Sequence, residues 1–166
     1  KDPRFKLLVI SPDEPIVASP KKRALERAFA TSQSEILMTI DADCIPPDCW
    51  MRSMVSCFQE GIDIVQGPKQ TQKKEGVINS VQALETLGFT LIEAAFFSLG
   101  KPMLASAPSL AYRRKVYEAA GGLAALGDHV SGDDDMLVQR MRHFASGVAY
   151  NADAEAQVVT IPVSTW

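Results

Sequence analysis

Residues 35–48 read EILMTIDADCIPPD. After Glu35, the run Ile36-Leu37-Met38-Thr39-Ile40 predicts a strand buried on both faces, as in a parallel sheet covered by helices. The run stops at Asp41-Ala42-Asp43, and Pro46-Pro47 forbids its continuation. Open α/β sheets bind ligands at the carboxyl ends of such strands. Two carboxylates one residue apart repel unless a cation or a hydrogen-bond donor compensates them. A hard divalent ion such as Mg²⁺, held by one or two carboxylates and phosphate oxygens, suits that place. An isolated Asp-x-Asp also fits plain loop polarity, so the rest of the chain decides.

The chain has 166 residues, enough for one α/β domain over 1–166 with a sizeable core. Hydrophobic residues at 46% and charged residues at 22% are those of an ordinary globular protein. A net charge of −3 argues against a general nucleic-acid partner. Charge is uneven: Lys1 to Arg27 carries seven basic and four acidic side chains, whereas Asp128 to Asp135 carries four acids and no Lys or Arg. That asymmetry suits a cleft with an acidic, metal-binding wall and a basic flank for phosphates. Cys44, Cys49 and Cys57 form no CxxC pair and lie away from His129 and His143, so they read as free thiols of a reducing compartment. No stretch of 18 uninterrupted apolar residues and no signal peptide occurs.

Taken in order, Phe5 to Ile10 predicts a strand. Ser19-Pro20 predicts an N-cap with proline at the first helical position, leading a helix with Ala24, Leu25, Ala28 and Phe29 on one stripe. After the Asp-Ala-Asp strand, Asp48 is expected to cap a helix with Trp50, Met51, Met54, Val55 and Phe58 facing a core. Ile62 to Gln66 reads as a strand, and Lys69 to Gly76 as an exposed polar segment. Val77, Val81, Leu84, Leu91, Ala95 and Leu99 recur at helical steps and predict one long helix. Met103 to Tyr112 reads as a strand bent or edged by Pro108, Arg114 to Ala120 as a short helix stopped by Gly121-Gly122. A helix with Met136, Leu137, Met141 and Phe144 inward follows, then strands near Val148 to Tyr150 and Gln157 to Ile161. The alternation predicts α/β with a mostly parallel sheet flanked by helices.

A second acidic cluster, Gly132-Asp133-Asp134-Asp135, follows a Gly-rich loop at a helix start, where the dipole favours acids. Capping alone would need one aspartate, and three in a row repel. The order of features resembles a family 2 glycosyltransferase of the GT-A, Rossmann-like fold, the nucleotide-sugar-dependent group that includes ceramide glucosyltransferase and the polysaccharide synthases. Five features carry the resemblance: Lys21-Lys22-Arg23-Ala24-Leu25; Ile40-Asp41-Ala42-Asp43; Ser109-Leu110-Ala111-Tyr112-Arg113-Arg114 with Val116-Tyr117 and Gly121-Gly122; Gly132-Asp133-Asp134-Asp135; and Pro162-Val163-Ser164-Thr165-Trp166.

The resemblance implies an inverting, metal-dependent transfer of a sugar from a nucleotide-diphosphate sugar, a UDP-sugar, to the hydroxyl of a lipid or saccharide acceptor. Asp41 and Asp43 match the family's DxD motif, which puts Asp41 at the nucleotide sugar and makes Asp43 the ligand of Mg²⁺ or Mn²⁺. Asp133-Asp134 matches the acidic pair that supplies the base, with Asp134 as that base and Asp135 leaving the register open by one. Lys22, Arg113 and Trp166 are expected at the donor. Relative to the family, the chain begins at what reads as its second strand, and the Gln-x-x-Arg-Trp motif and membrane helices would lie beyond Trp166. The full-length protein is therefore expected at the cytoplasmic face of a membrane. The fragment is expected to dimerise at the vacant sheet position, to capture Lys1 to Ile10 there, or to split its sheet.

Two other readings stay open. A haloacid dehalogenase-type phosphatase also places Asp-x-Asp after a buried strand, although Cys44-Ile45-Pro46-Pro47 replaces its usual turn. A non-catalytic fragment of the GT-A fold is the other. An EF-hand fails, since Pro46 stands where its glycine should and Arg52 where its glutamate should.

Overall fold

Ser19 starts the first helix as the sequence predicts: its side chain accepts a hydrogen bond from the Lys22 N–H, and Pro20 opens α1 (Pro20–Thr31). The computed structural model describes residues 2, 4–10, 19–127 and 132–162. The elements after α1 are β1 (Ile36–Thr39), β2 (Cys44–Ile45), α2 (Trp50–Ser56), β3 (Ile64–Gln66), β4 (Lys69–Thr71) and α3 (Val77–Ser98). Then come β5 (Leu110–Arg113), α4 (Arg114–Ala119), α5 (Asp133–Met141), β6 (Val148–Tyr150) and β7 (Val158–Thr160). A four-stranded sheet runs β1-β5-β3-β6 and a three-stranded one β2-β7-β4.

The fold is mixed α/β, but the sheets are not mostly parallel. β5 runs antiparallel to both β1 and β3, while β3 pairs parallel with β6. The cause lies in how the chain re-enters. After α3 it returns beside the carboxyl end of β3, where the Ser106 N–H donates to Gln66 Oε1 at 3.1 Å and Leu110 pairs with Gln66. A strand that starts at its neighbour's end must run the other way. The small sheet is likewise mixed, β2 antiparallel and β4 parallel to β7.

The central strands alternate between two cores. Ile64, Leu110 and Tyr112 face one with Phe29, Phe97, Tyr117 and Leu137. Val65 and Ala111 face the other with Trp50, Met54 and Val158. β1 is less enclosed than expected: Leu37 and Thr39 are buried, but Ile36 and Met38 only partly, because among the described residues β1 pairs on one side alone.

Other expectations need correction, among them Met51, Val55 and Phe144, expected to face a core and instead 65%, 44% and 52% exposed. Residues 5–10 form no strand and expose Phe5, Leu7 and Val9; no neighbour among the described residues supplies the ladder a strand needs, so the segment is not captured into the sheet. Asp48 does not cap α2, whose preceding residue is Cys49 and which has no side-chain cap. Lys69 to Gly76 is not exposed throughout, since Lys69–Thr71 forms β4 on the small sheet with Lys69 and Thr71 half-buried. The long helix α3 is as predicted, and the apolar stripe that marked it points outward: Leu84 is 70% and Leu91 61% exposed.

Asp63, buried just before β3, knots the large sheet. It accepts from the Ser146 N–H at 2.7 Å, pairs with Lys115 at 2.9 Å and lies 3.4 Å from Arg113 Nε. Burial alone would raise its pKa, but the Ser146 bond and Lys115 outweigh that and hold it below 3.8. A depressed carboxylate stabilises the fold above its unfolded pKa, and that contribution fades as pH falls through the folded value. Asp63→Asn should therefore lower stability by about 1.5–3 kcal/mol near neutral pH, the worth of hydrogen bonds to a charged group, since the Lys115 it leaves behind is largely exposed. Urea melts should show the gap to wild type closing below pH 3.8; a gap constant with pH would contradict this account.

Candidate active site

The first acidic pair sits on a turn between the two sheets. The Cys44 N–H donates to the Asp41 carbonyl at 3.1 Å, and the Ile161 N–H to the Asp43 carbonyl at 3.0 Å, so β1 and β7 together fix the turn. One ligand atom each from Asp41, Asp43 and Cys44 lie within 4.8 Å of one another. The two carboxylates offer the hard oxygens that Mg²⁺ or Mn²⁺ takes, with the remaining positions left for phosphate or water. The Cys44 thiol does not fit that set. Burial pushes its pKa up, the Thr160 contact pulls it back and Asp43 raises it again, and a soft sulphur suits neither of these hard ions. The pair thus fits the metal that the sequence implies, with the sulphur as a bystander.

The second cluster opens α5, where Gly132 at φ 77° supplies the left-handed turn into the helix. Its three aspartates have three destinations. Asp133 is buried and pairs with Lys22 at 3.0 Å. Asp135 accepts from the Ala105 N–H at 2.7 Å. Asp134 alone turns to the cleft, accepting from the Ala107 N–H at 3.3 Å and lying 3.5 Å from Lys21 Nζ. The same ammonium lies 3.0 Å from Asp41. Lys21 therefore bridges the two acidic clusters from the first turn of α1.

Their protonation follows from this arrangement. Burial raises the Asp134 pKa; Lys21 pulls it back and Asp41 pushes it up again, leaving it above the usual carboxylate value. Burial disfavours charge on Lys21 too, but Asp134 and Asp41 together outweigh it and hold its pKa above normal.

Asp41 and Asp134 line one cleft of about 340 Å³. Across it stand Thr86 and Phe89 of α3, with Lys69 and Ser106 behind. Lys69 pairs with the buried Glu93 at 3.0 Å, and Ser106 contacts both through its hydroxyl. A larger surface concavity of about 600 Å³, between residues 4–8 and the end of α1, is lined by Arg4, Lys6 and Ser34 but by no carboxylate.

Two other residues expected at the donor, Lys22 and Arg113, lie elsewhere. Lys22 faces inward, 2% exposed, with its ammonium also donating to the Gly127 carbonyl at 3.2 Å. Arg113 stands at the end of β5 remote from Asp41, paired with Glu35 and donating to the carbonyls of Ile62 and Phe58, both at 3.2 Å. Trp50 is core, its Nε1–H donating to Ser109 Oγ at 3.1 Å. Trp166 and His129 fall outside the described residues. Sequence reasoning grouped Lys21 with Lys22 and overlooked Lys69, Glu93 and Ser106. One signal was present: Glu93 is a lone carboxylate in an otherwise apolar stretch of helix.

A family model described as "Glycosyltransferase like family 2" matches residues 3–166. No curated protein matches the chain.

The two adjacent lysines should separate cleanly in thermal melts. Lys22→Met strands the buried Asp133 charge and should cost about 3–5 kcal/mol. Lys21→Met, whose lysine is half exposed, should change stability by no more than about 1 kcal/mol. Equal losses would show that both lysines are structural.

Proposed function

The chain belongs to glycosyltransferase-like family 2, and we propose that it transfers a sugar, with inversion, from a UDP-sugar to the hydroxyl of a lipid or saccharide acceptor in the cleft between Asp41 and Asp134. Membership in the family carries glycosyl transfer from a nucleotide-sugar donor to an acceptor. The phosphatase reading is set aside on the same ground. The observation that supports this site is the shared lysine: Asp41 and Asp134 come from distant parts of the chain, yet both reach Lys21.

Asp134 is the base. Its carboxylate takes the proton of the acceptor hydroxyl while the acceptor oxygen bonds to the anomeric carbon. The bond from that carbon to the diphosphate oxygen breaks, and its electron pair leaves with the nucleotide. The raised pKa of Asp134 makes it a stronger base than an ordinary aspartate, and the Ala107 N–H aims it. Asp41 would hold the nucleotide sugar, and Asp43 would hold Mg²⁺ or Mn²⁺, with Asp41 beside it. When bound, that cation supplies positive charge to the departing diphosphate. Lys21, already between the carboxylates, is placed to add its own charge to the same phosphates.

Removal of the base should appear in turnover rather than in binding. Asp134→Asn should lower kcat by about 10²–10⁴-fold and leave UDP affinity within about threefold. Asp43→Ala should weaken metal-dependent UDP binding instead. Calorimetry and a UDP-release assay measure both, and wild-type turnover in Asp134→Asn would refute the assignment. The base works deprotonated, so kcat/KM should fall with pH at a midpoint above 3.8. Lys21→Met should move that midpoint higher, because the lysine pulls the Asp134 pKa down; a midpoint that stays or drops would exclude Asp134 as the titrating group.

A further inference from the structure

Helix α3 is built inside out. The stripe it turns inward is Gln82, Thr86, Thr90, Glu93 and Phe97, polar except for the last. That stripe is tied down: the Thr86 and Thr71 hydroxyls are 2.7 Å apart, the Thr90 hydroxyl donates to the Lys69 carbonyl at 3.0 Å, and Glu93 pairs with Lys69. The outward surface is apolar. Val77, Val81, Leu84, Leu87, Leu91 and Leu99 are each between 50% and 81% exposed. A helix against a soluble core shows the reverse pattern. With its polar face bonded, α3 cannot rotate to hide the other. A contiguous apolar face about 33 Å long is thus held toward whatever lies outside.

We infer that this face of α3 lies along the surface of an anionic lipid bilayer. The charges point to that occupant. Between Gly76 and Gly100 the one exposed charge is Glu85, whereas Lys73 and Lys74, with Glu75 beside them, stand exposed just before the helix and Lys101 just after it, leaving both flanks net basic. Long basic side chains at both ends of an apolar stretch can reach phosphate headgroups while the stretch between sinks into the acyl boundary. A second copy of the chain fits less well. Two-fold pairing of the helices in antiparallel fashion would set Lys101 of one against the Lys73-Lys74-Glu75 segment of the other, net positive against positive. No helix among the described residues is long and apolar enough to cross a membrane, so α3 lies on the surface rather than spanning it. Phe89 and Thr86 of the same helix wall the acidic cleft, so docking in this way would bring the cleft mouth to the membrane. The inference rests on α3 alone and does not need the transfer reading.

Vesicle flotation of the full chain tests it, with phosphatidylcholine vesicles compared with vesicles containing about one-third phosphatidylserine. The chain should float with the anionic vesicles. Leu84→Gln with Leu91→Gln should lower that binding at least about tenfold, with an unchanged melting temperature because both side chains lie outside the core. Lys73→Gln with Lys74→Gln and Lys101→Gln should reduce binding to the level seen with neutral vesicles. If the leucine pair proves destabilised, the lysine variant decides alone. Absence of flotation, equal flotation of all three proteins, or a dimer in sedimentation velocity that the leucine pair dissolves without any vesicle binding would overturn the proposal.

Discussion

Two charged carboxylates share a partly buried cleft only when a cation or hydrogen-bond donors compensate them. At 4 Å, like charges cost on the order of 4 kcal/mol in a medium of effective dielectric 20. In this chain the compensating charge is Lys21, 3.0 Å from Asp41 and 3.5 Å from Asp134. Three elements that meet nowhere else in sequence converge on it: the start of α1, the turn after β1 and the first turn of α5. The Ser19 cap and Pro20 fix where α1 begins, and so which of its lysines faces the cleft. Its neighbour, one residue on, points into the core and neutralises Asp133. Adjacent lysines and adjacent aspartates thus pair in register, one pair buried and one at the cleft.

The far wall is organised by a second cation, more enclosed than Lys21. Lys69, Glu93 and Ser106 join β4, α3 and the segment before β5, and Gln66 holds that segment through the Ser106 backbone. The same segment offers the N–H groups of Ala105 and Ala107 to Asp135 and Asp134. The antiparallel entry of β5 is therefore part of the site: it brings those donors to the carboxyl end of the sheet. A uniformly parallel sheet would have delivered the segment to the opposite end.

Much of this was legible. The apolar run stopped by Asp41 and the prolines marked β1 and its turn, and Ser19-Pro20 marked α1. The acidic cluster at a helix start marked α5, whose dipole favours those charges. What stayed hidden depended on partners distant in sequence. Lys21 and Lys22 differ by 100° around a helix, and only the position of α5 decides which is buried. Periodicity found the apolar stripe of α3 but cannot say which side a helix presents, and hydrogen bonds from Thr86, Thr90 and Glu93 outweighed it. Arg113 reads like a phosphate ligand beside its motif, yet its place at the far end of β5 is set by pairing with β1 and by Asp63. Residues 5–10 have a strand's composition without a strand's neighbour among the described residues.

The central claim is that the space around Lys21 is where a nucleotide sugar binds and reacts. Crystals of the chain grown with a UDP-sugar analogue and Mn²⁺ test it directly. The account predicts an anomalous manganese peak beside Asp43, the diphosphate within hydrogen-bond reach of Lys21, and the anomeric carbon facing Asp134. A nucleotide bound instead in the concavity lined by Arg4 and Lys6, with Lys21 still bridging Asp41 and Asp134, would contradict it.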